Sequence, residues 1–217
     1  MKSDVQLKAD IAAELMWTPG VDATNVGVAV KDGVVTLSGT LATFAEKHAV
    51  EQAVRRVAGV LGLALDLEVQ LAPNHKRNDS EVAHAALNAL SWSVLVPRER
   101  IKVEVEDGWV TLSGEVDWSY QQVAAEQCVR PLIGVRGVFN KITLKARAIP
   151  KDLREQIAAA LVRHAHREAN HIGIDVQGSV VTLSGVVHSL PERDAAVGTA
   201  GAAKGVSRVV DRLEVVA

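Results

Sequence analysis

Only one cysteine, Cys128, occurs in the 217 residues, so no disulfide within the chain can brace the fold, and cysteine usage leaves the redox compartment open. Aromatics are also scarce: four Trp, two Phe and one Tyr. No apolar run approaches the ~20 residues that a membrane-crossing helix needs, so no transmembrane segment is expected. The start, Met1-Lys2-Ser3-Asp4, has no apolar stretch of the signal-peptide kind. As written, the chain reads as cytoplasmic; a periplasmic location is the alternative if a presequence was removed. Neither charge sign dominates, with 24 Lys and Arg against 26 Asp and Glu. The basic field that holds nucleic acid non-specifically is therefore missing, and no nucleic-acid partner is expected. An apolar fraction of 48% is that of a globular protein rather than a disordered one.

What the chain does have is a stretch repeated three times. Val-Thr-Leu-Ser-Gly stands at Val35 to Gly39, Val110 to Gly114 and Val181 to Gly185. Its apolar residues alternate with Thr and Ser, the period of a strand with one buried face. Asp32-Gly33 and Asp107-Gly108 precede the first two copies and Gly178-Ser179 the third. Each pair is a two-residue hairpin turn, so each repeat ends a β-hairpin. Leu37, Leu112 and Leu183, central in these strands, are expected to anchor the cores.

The flanks repeat as well. The second copy follows the first at a constant offset of 75 residues, and the third lies 146 after the first. Ser3, with Gln6 three residues on, is expected to form a capping box. The helix that follows carries the stripe Leu7, Ile11 and Leu15 and stops at Pro19-Gly20. Two strands come next, then a second helix from Thr43, with Glu46 completing a capping box. Ala49, Ala53, Val54 and Val57 are assigned to its inner face. Gly59, Gly134 and Gly205 stop the second helix in each copy, and a third strand follows. The predicted fold is α+β: three tandem αββαβ units at residues 2–71, 78–146 and 150–217. Each is a three-stranded mixed sheet covered on one face by two helices. The helical crossover makes the second and third strands parallel; which strand is central does not follow from the sequence.

These residues resemble the BON (bacterial OsmY and nodulation) domain family. That family's pattern is a hairpin ending in Val-Thr-Leu-x-Gly, then a helix, then Gly-Val-x-x-Val-x-Asn-x-Leu-x-Val. The second element stands here as Gly134-Val135, Val138, Asn140, Ile142 and Leu144, and again as Gly205-Val206, Val209, Asp211, Leu213 and Val215. The first unit has Leu63 and Leu65 instead, so its polar position is lost. The resemblance covers essentially the whole chain. It implies non-enzymatic bacterial envelope modules linked to osmotic stress, with phospholipid or an envelope surface as partner. The structural glycines are Gly39, Gly114 and Gly185, with Gly59, Gly134 and Gly205. The alternative is a structural protein that self-associates or binds protein partners through exposed sheet surfaces.

No arrangement of residues points to catalysis, and no cofactor is expected. The Thr-x-Ser pairs of the repeat suit the polar face of a strand. Cys128 falls at the place of Ala53 and is expected to be buried as a small apolar residue. His164, Glu168 and His171 would share one face that could hold a metal ion if the helix of the third unit runs that far; a solvated helix face is the favoured reading. Lys151, Arg154, Arg163 and Arg167 on the same helix read as solvated charge, with anionic lipid as the alternative.

Five of the seven aromatics, Trp92, Trp109, Trp118, Tyr120 and Phe139, lie in the second unit. Trp92 repeats Trp17, so both are assigned to lids over the core. Trp109 replaces Val34 on the outer face and is expected to be exposed. Trp118 and Tyr120 stand where Thr43 and Ser189 would cap a helix. Trp109, Trp118 and Tyr120, helped by Arg98, Arg100 and Lys102, form the candidate contact for lipid or a partner. Packing against a neighbouring unit is the alternative.

Overall fold

The computed structural model describes residues 2–145, 150, 152–164 and 172–216. The first module runs α1 (Asp4–Trp17), β1 (Val26–Lys31), β2 (Val34–Leu41), α2 (Phe44–Arg56) and β3 (Gly62–Val69). The second runs α3 (Asp79–Trp92), β4 (Ile101–Glu106), β5 (Trp109–Val116), α4 (Ser119–Val129) and β6 (Gly137–Leu144). The third runs α5 (Leu153–His164), β7 (Ile172–Gln177), β8 (Val180–Val187), α6 (Leu190–Gly201) and β9 (Arg208–Val215). Contacts group the chain into two compact units. One is Met1–Val116 with Tyr120–Thr143; the other is Asp117–Ser119 with Leu144–Ala217.

Three separate three-stranded sheets form, and the repeated stretch supplies the central strand of each: β2, β5 and β8. The hairpin pairing is antiparallel and puts Val28 beside Leu37, Val103 beside Leu112 and Ile174 beside Leu183. The pairings β2–β3 and β8–β9 are parallel, as a helical crossover requires. Both Asp-Gly turns have positive φ at both residues, at 51° and 75° in the first module and 49° and 77° in the second. Those are the angles of the turn that matches strand twist.

Each core lies between the two helices and one sheet face. Leu37, Leu112 and Leu183 are wholly buried, as are Ile11 and Ile157. Gly39 has a φ of 133°, and a Cβ there would lie 2.0 Å from the Asn25 carbonyl oxygen. Gly114 meets the Arg100 carbonyl in the same way. The glycine of the repeat is thus set by a backbone crossing at the start of the neighbouring strand.

Four expectations need correction. Ser3 caps α1 by accepting the Gln6 N–H at 3.2 Å, but the Gln6 side chain turns forward to Asp10 at 2.9 Å. Glu46 likewise reaches past Thr43 to the Ala42 and Asp22 N–H groups. The reciprocal box occurs at Asn78 and Glu81 instead. Along α2 the buried residues are Val50, Ala53 and Val54, with Ala49 and Val57 half-buried. Cys128 is half-buried, because Ala124, Ala125 and Val129 fill the inner face of α4. Finally, Trp17 and Trp92 do not lid the cores: they are 85% and 87% exposed. The stripes Leu7-Ile11-Leu15 and Val82-Ala86-Leu90 already complete the buried faces, and each Trp falls beyond the stripe at the helix end.

Candidate functional site

The stretch after α3 is built to display its side chains. Ser93 ends the helix with its N–H on the Leu90 carbonyl, and Val96 donates back to Ser93, both at 3.3 Å. Val96 is buried and pins this loop, while Val94 is 99% exposed. Leu95 is also exposed, beside the outward Trp92. A short helical turn, Arg98–Arg100, follows and leads into β4. Arg98, Arg100 and Lys102 are all exposed, so cationic side chains follow the apolar tip directly. In the first module the equivalent loop displays Met16 and Trp17 but continues as Thr18-Pro19-Gly20, without cations.

The other aromatics of the second module are differently placed. Trp109 is 39% exposed on the outer sheet face. Its ring stacks on Phe139, with centroids 4.9 Å apart and planes 17° from parallel. It lies over Gly137, where a Cβ would come within 2.2 Å of the indole. Trp109 also lines a groove with Leu65, Asp66 and Glu68 of β3 and with Arg136. Tyr120, in the first turn of α4, is exposed, and Trp118 just before that helix is half-buried. Sequence reasoning missed Val94 and Leu95: they look like core residues until the buried Val96 is known to point the other way.

On α2, burial and the guanidinium of Arg130 push the imidazole of His48 below its ordinary value of 6.5. Arg55 acts in the same direction, while Glu51 and Glu126 oppose it. Glu51 pairs with Arg55 at 3.0 Å and Glu126 with Arg130 at 2.7 Å, so both carboxylates are already engaged. Among the described residues, no group of three or more His, Cys, Asp or Glu is placed to hold a metal ion. The face of His164, Glu168 and His171 lies outside the described residues, apart from the backbone of His164. Lys151 and Arg167 also lie outside them. No helix among the described residues is long and apolar enough to cross a membrane.

Three αββαβ modules with a shared hairpin and a shared glycine pair, the second and third also with a polar residue on the last strand, define a tandem array of one domain type. The BON domain model matches at residues 3–70, 78–146 and 151–217, and the chain belongs to the BON family. It is 29% identical over 146 residues to the Osmotically-inducible protein Y of Escherichia coli (strain K12), covering 65% of this chain and 73% of the relative. It is 33% identical over 117 residues to an uncharacterized protein in the gshII 5′ region of Anaplasma centrale, covering 51% of this chain and 78% of the relative. A structure of CdsD, a structural protein of the type III secretion system of Chlamydia trachomatis, aligns over 97% of this chain and 92% of its own. At 15% identity and a TM-score of 0.26, that alignment bears on neither fold nor function.

Proposed function

We propose that this chain is a non-enzymatic envelope protein of the osmotic-stress type that rests on a phospholipid surface through its second module. One observation carries the reading: the fully exposed Val94, flanked by the exposed Trp92 and Leu95 and followed by Arg98, Arg100 and Lys102. Burying apolar side chains in the headgroup region removes them from water, while indole satisfies its N–H there. The cations meet anionic headgroups. Tyr120 and the partly covered Trp109 belong to the same compact unit and are secondary candidates. The likeness to the Osmotically-inducible protein Y supports the stress association.

Co-sedimentation with phosphatidylglycerol vesicles tests this reading. The wild type should pellet with the vesicles, and Trp92→Ala combined with Val94→Ser should stay in solution. If neither protein pellets, or both do equally, the reading is wrong. Fractionation of the source cell tests the periplasmic against the cytoplasmic placement.

A second reading, self-association through exposed sheets, is favoured by the outer edges of β1, β4 and β7, which pair with no strand among the described residues. Light scattering on the purified chain decides it: a concentration-dependent mass supports it, and a constant monomer mass removes it.

A further inference from the structure

The last strand of each module is an edge strand, and in two of the three an outward N–H is taken by a side chain of the same strand. In β6 the Ile142 carbonyl accepts from Gln122 of α4 at 2.6 Å, and the Ile142 N–H donates to Asn140 Oδ1 at 3.2 Å. Asn140 is held in turn by donating to the Gln122 carbonyl at 2.9 Å. In β9 the Leu213 N–H donates to Asp211 Oδ1 at 2.9 Å, and Arg193 of α6 holds Asp211 at 2.6 Å. A backbone group that a side chain already satisfies is not offered to a partner strand.

The first module departs from this. Lys47 still reaches the Leu67 carbonyl at 2.7 Å, which shows that Leu67 points its backbone groups away from β2. At the place of Asn140 and Asp211, however, stands Leu65, which has no acceptor. The Leu67 N–H therefore lacks the closure that its equivalents have. Ala64, Leu65 and Asp66 are exposed in succession, with Leu65 at 38%. A polar closure has been exchanged for an apolar side chain on an open edge, a local rule broken without a gain to the module itself.

A groove lies against this edge. Leu65, Asp66 and Glu68 line it on one side and Trp109 and Arg136 on the other, with a volume of about 310 Å³. It continues into a second groove of about 670 Å³, which shares Glu68, Val69 and Arg136. Arg136 has no ion-pair partner among the described residues.

We propose that the β3 edge of the first module is a docking site for an extended polypeptide segment of a partner protein. The segment adds as a fourth strand beside Leu63–Leu65 and ends on the Leu67 N–H, because Lys47 already takes the Leu67 carbonyl. It sets an apolar side chain between Leu65 and Trp109 and presents a carboxylate to Arg136. Main-chain hydrogen bonds supply the attachment, and the apolar spot and the arginine supply the selection. The inference is independent of the lipid reading, because Leu65 plays no part in the loop that carries that reading.

The test is a selection of displayed random dodecapeptides on the full chain, with an enriched peptide then synthesised and titrated into wild type and Leu65→Asn. The variant installs the closure found in the other two modules. The expected result is an enriched peptide with alternating apolar residues and an acid. Its addition shifts the amide signals of residues 63–67, and it binds Leu65→Asn at least tenfold more weakly. Amide shifts in the wild type keep the outcome readable if the variant folds poorly. No enrichment, shifts confined elsewhere, or equal binding to folded Leu65→Asn would each overturn the proposal. So would a wild-type dimer that Leu65→Asn dissociates, since the edge would then be taken by a second copy. Vesicle binding by Leu65→Asn should match the wild type.

Discussion

Asp4 holds Gly33: the first residue of α1 accepts the Gly33 N–H at 3.1 Å and the Asp32 N–H at 2.9 Å with its two carboxylate oxygens. Asp79 does the same for Asp107 and Gly108, both at 2.9 Å. One carboxylate therefore ties the start of a helix to the tip of a hairpin some 28 residues away. The third module has Pro150 at that place, and among the described residues no carboxylate clamps its Gly178-Ser179 turn.

Asp79→Ala should remove both bonds and leave two turn N–H groups to water. The cost should be about 1–3 kcal/mol, as for hydrogen bonds to a charged group. Chemical denaturation reads it as a lower midpoint at unchanged slope. A midpoint equal to wild type would mean that the clamp is geometric but not energetic.

Leu112→Ala should cost about 2–5 kcal/mol, the range for emptying a buried leucine site. The residue is wholly buried at the centre of β5. Thr111→Ala on the neighbouring strand position, which is half-buried on the opposite face, should cost far less. Equal losses for the two variants would contradict the assigned faces.

Stability should fall on acidification through His48. Its imidazole titrates below 6.5 in the fold because burial and Arg130 disfavour the charged form. The unfolded chain therefore binds the proton first. The contribution is complete above the ordinary pKa and is lost as pH drops below it, towards the lowered value of the folded state. His48→Gln should flatten the pH profile of thermal melting between pH 7 and 5. A profile as steep as wild type would assign the effect to other groups.

Vesicle attachment should weaken when Arg98 and Arg100 become Gln. Each cation near an anionic surface contributes about 1 kcal/mol, so the pair should cost roughly tenfold or more in partitioning. Added salt should mimic the loss. Neutral phosphatidylcholine vesicles should not distinguish variant from wild type.

The hairpins were legible because their signals are local. Asp-Gly and a period of two leave little choice of turn or face, and Leu37, Leu112 and Leu183 are buried as that period requires. The placement of β2 at the centre of its sheet was not legible, because pairing order depends on where a crossover lands. Trp17 and Trp92 were misread because their size and their repetition both suggest a core. The structure instead ends each buried stripe two residues earlier, at Leu15 and Leu90. The edge closure by Asn140 and Asp211 was visible as a pattern of residue types. Its purpose needed the helix partners, Gln122 and Arg193, to be in place.

The shared central strand has a consequence for how the chain is best handled. Val-Thr-Leu-Ser-Gly is the same in β2, β5 and β8, so any first strand finds an equally good mate in a neighbouring module or a neighbouring molecule. The two-residue turns leave no slack, and each hairpin therefore closes on itself. The link from a hairpin to its last strand runs through a whole helix, from Leu41 to Gly62 in the first module, and is long enough to reach elsewhere. Chain refolded quickly from denaturant at high concentration should accumulate exchanged dimers at that link, whereas chain emerging from a ribosome completes one module before the next strand exists to compete.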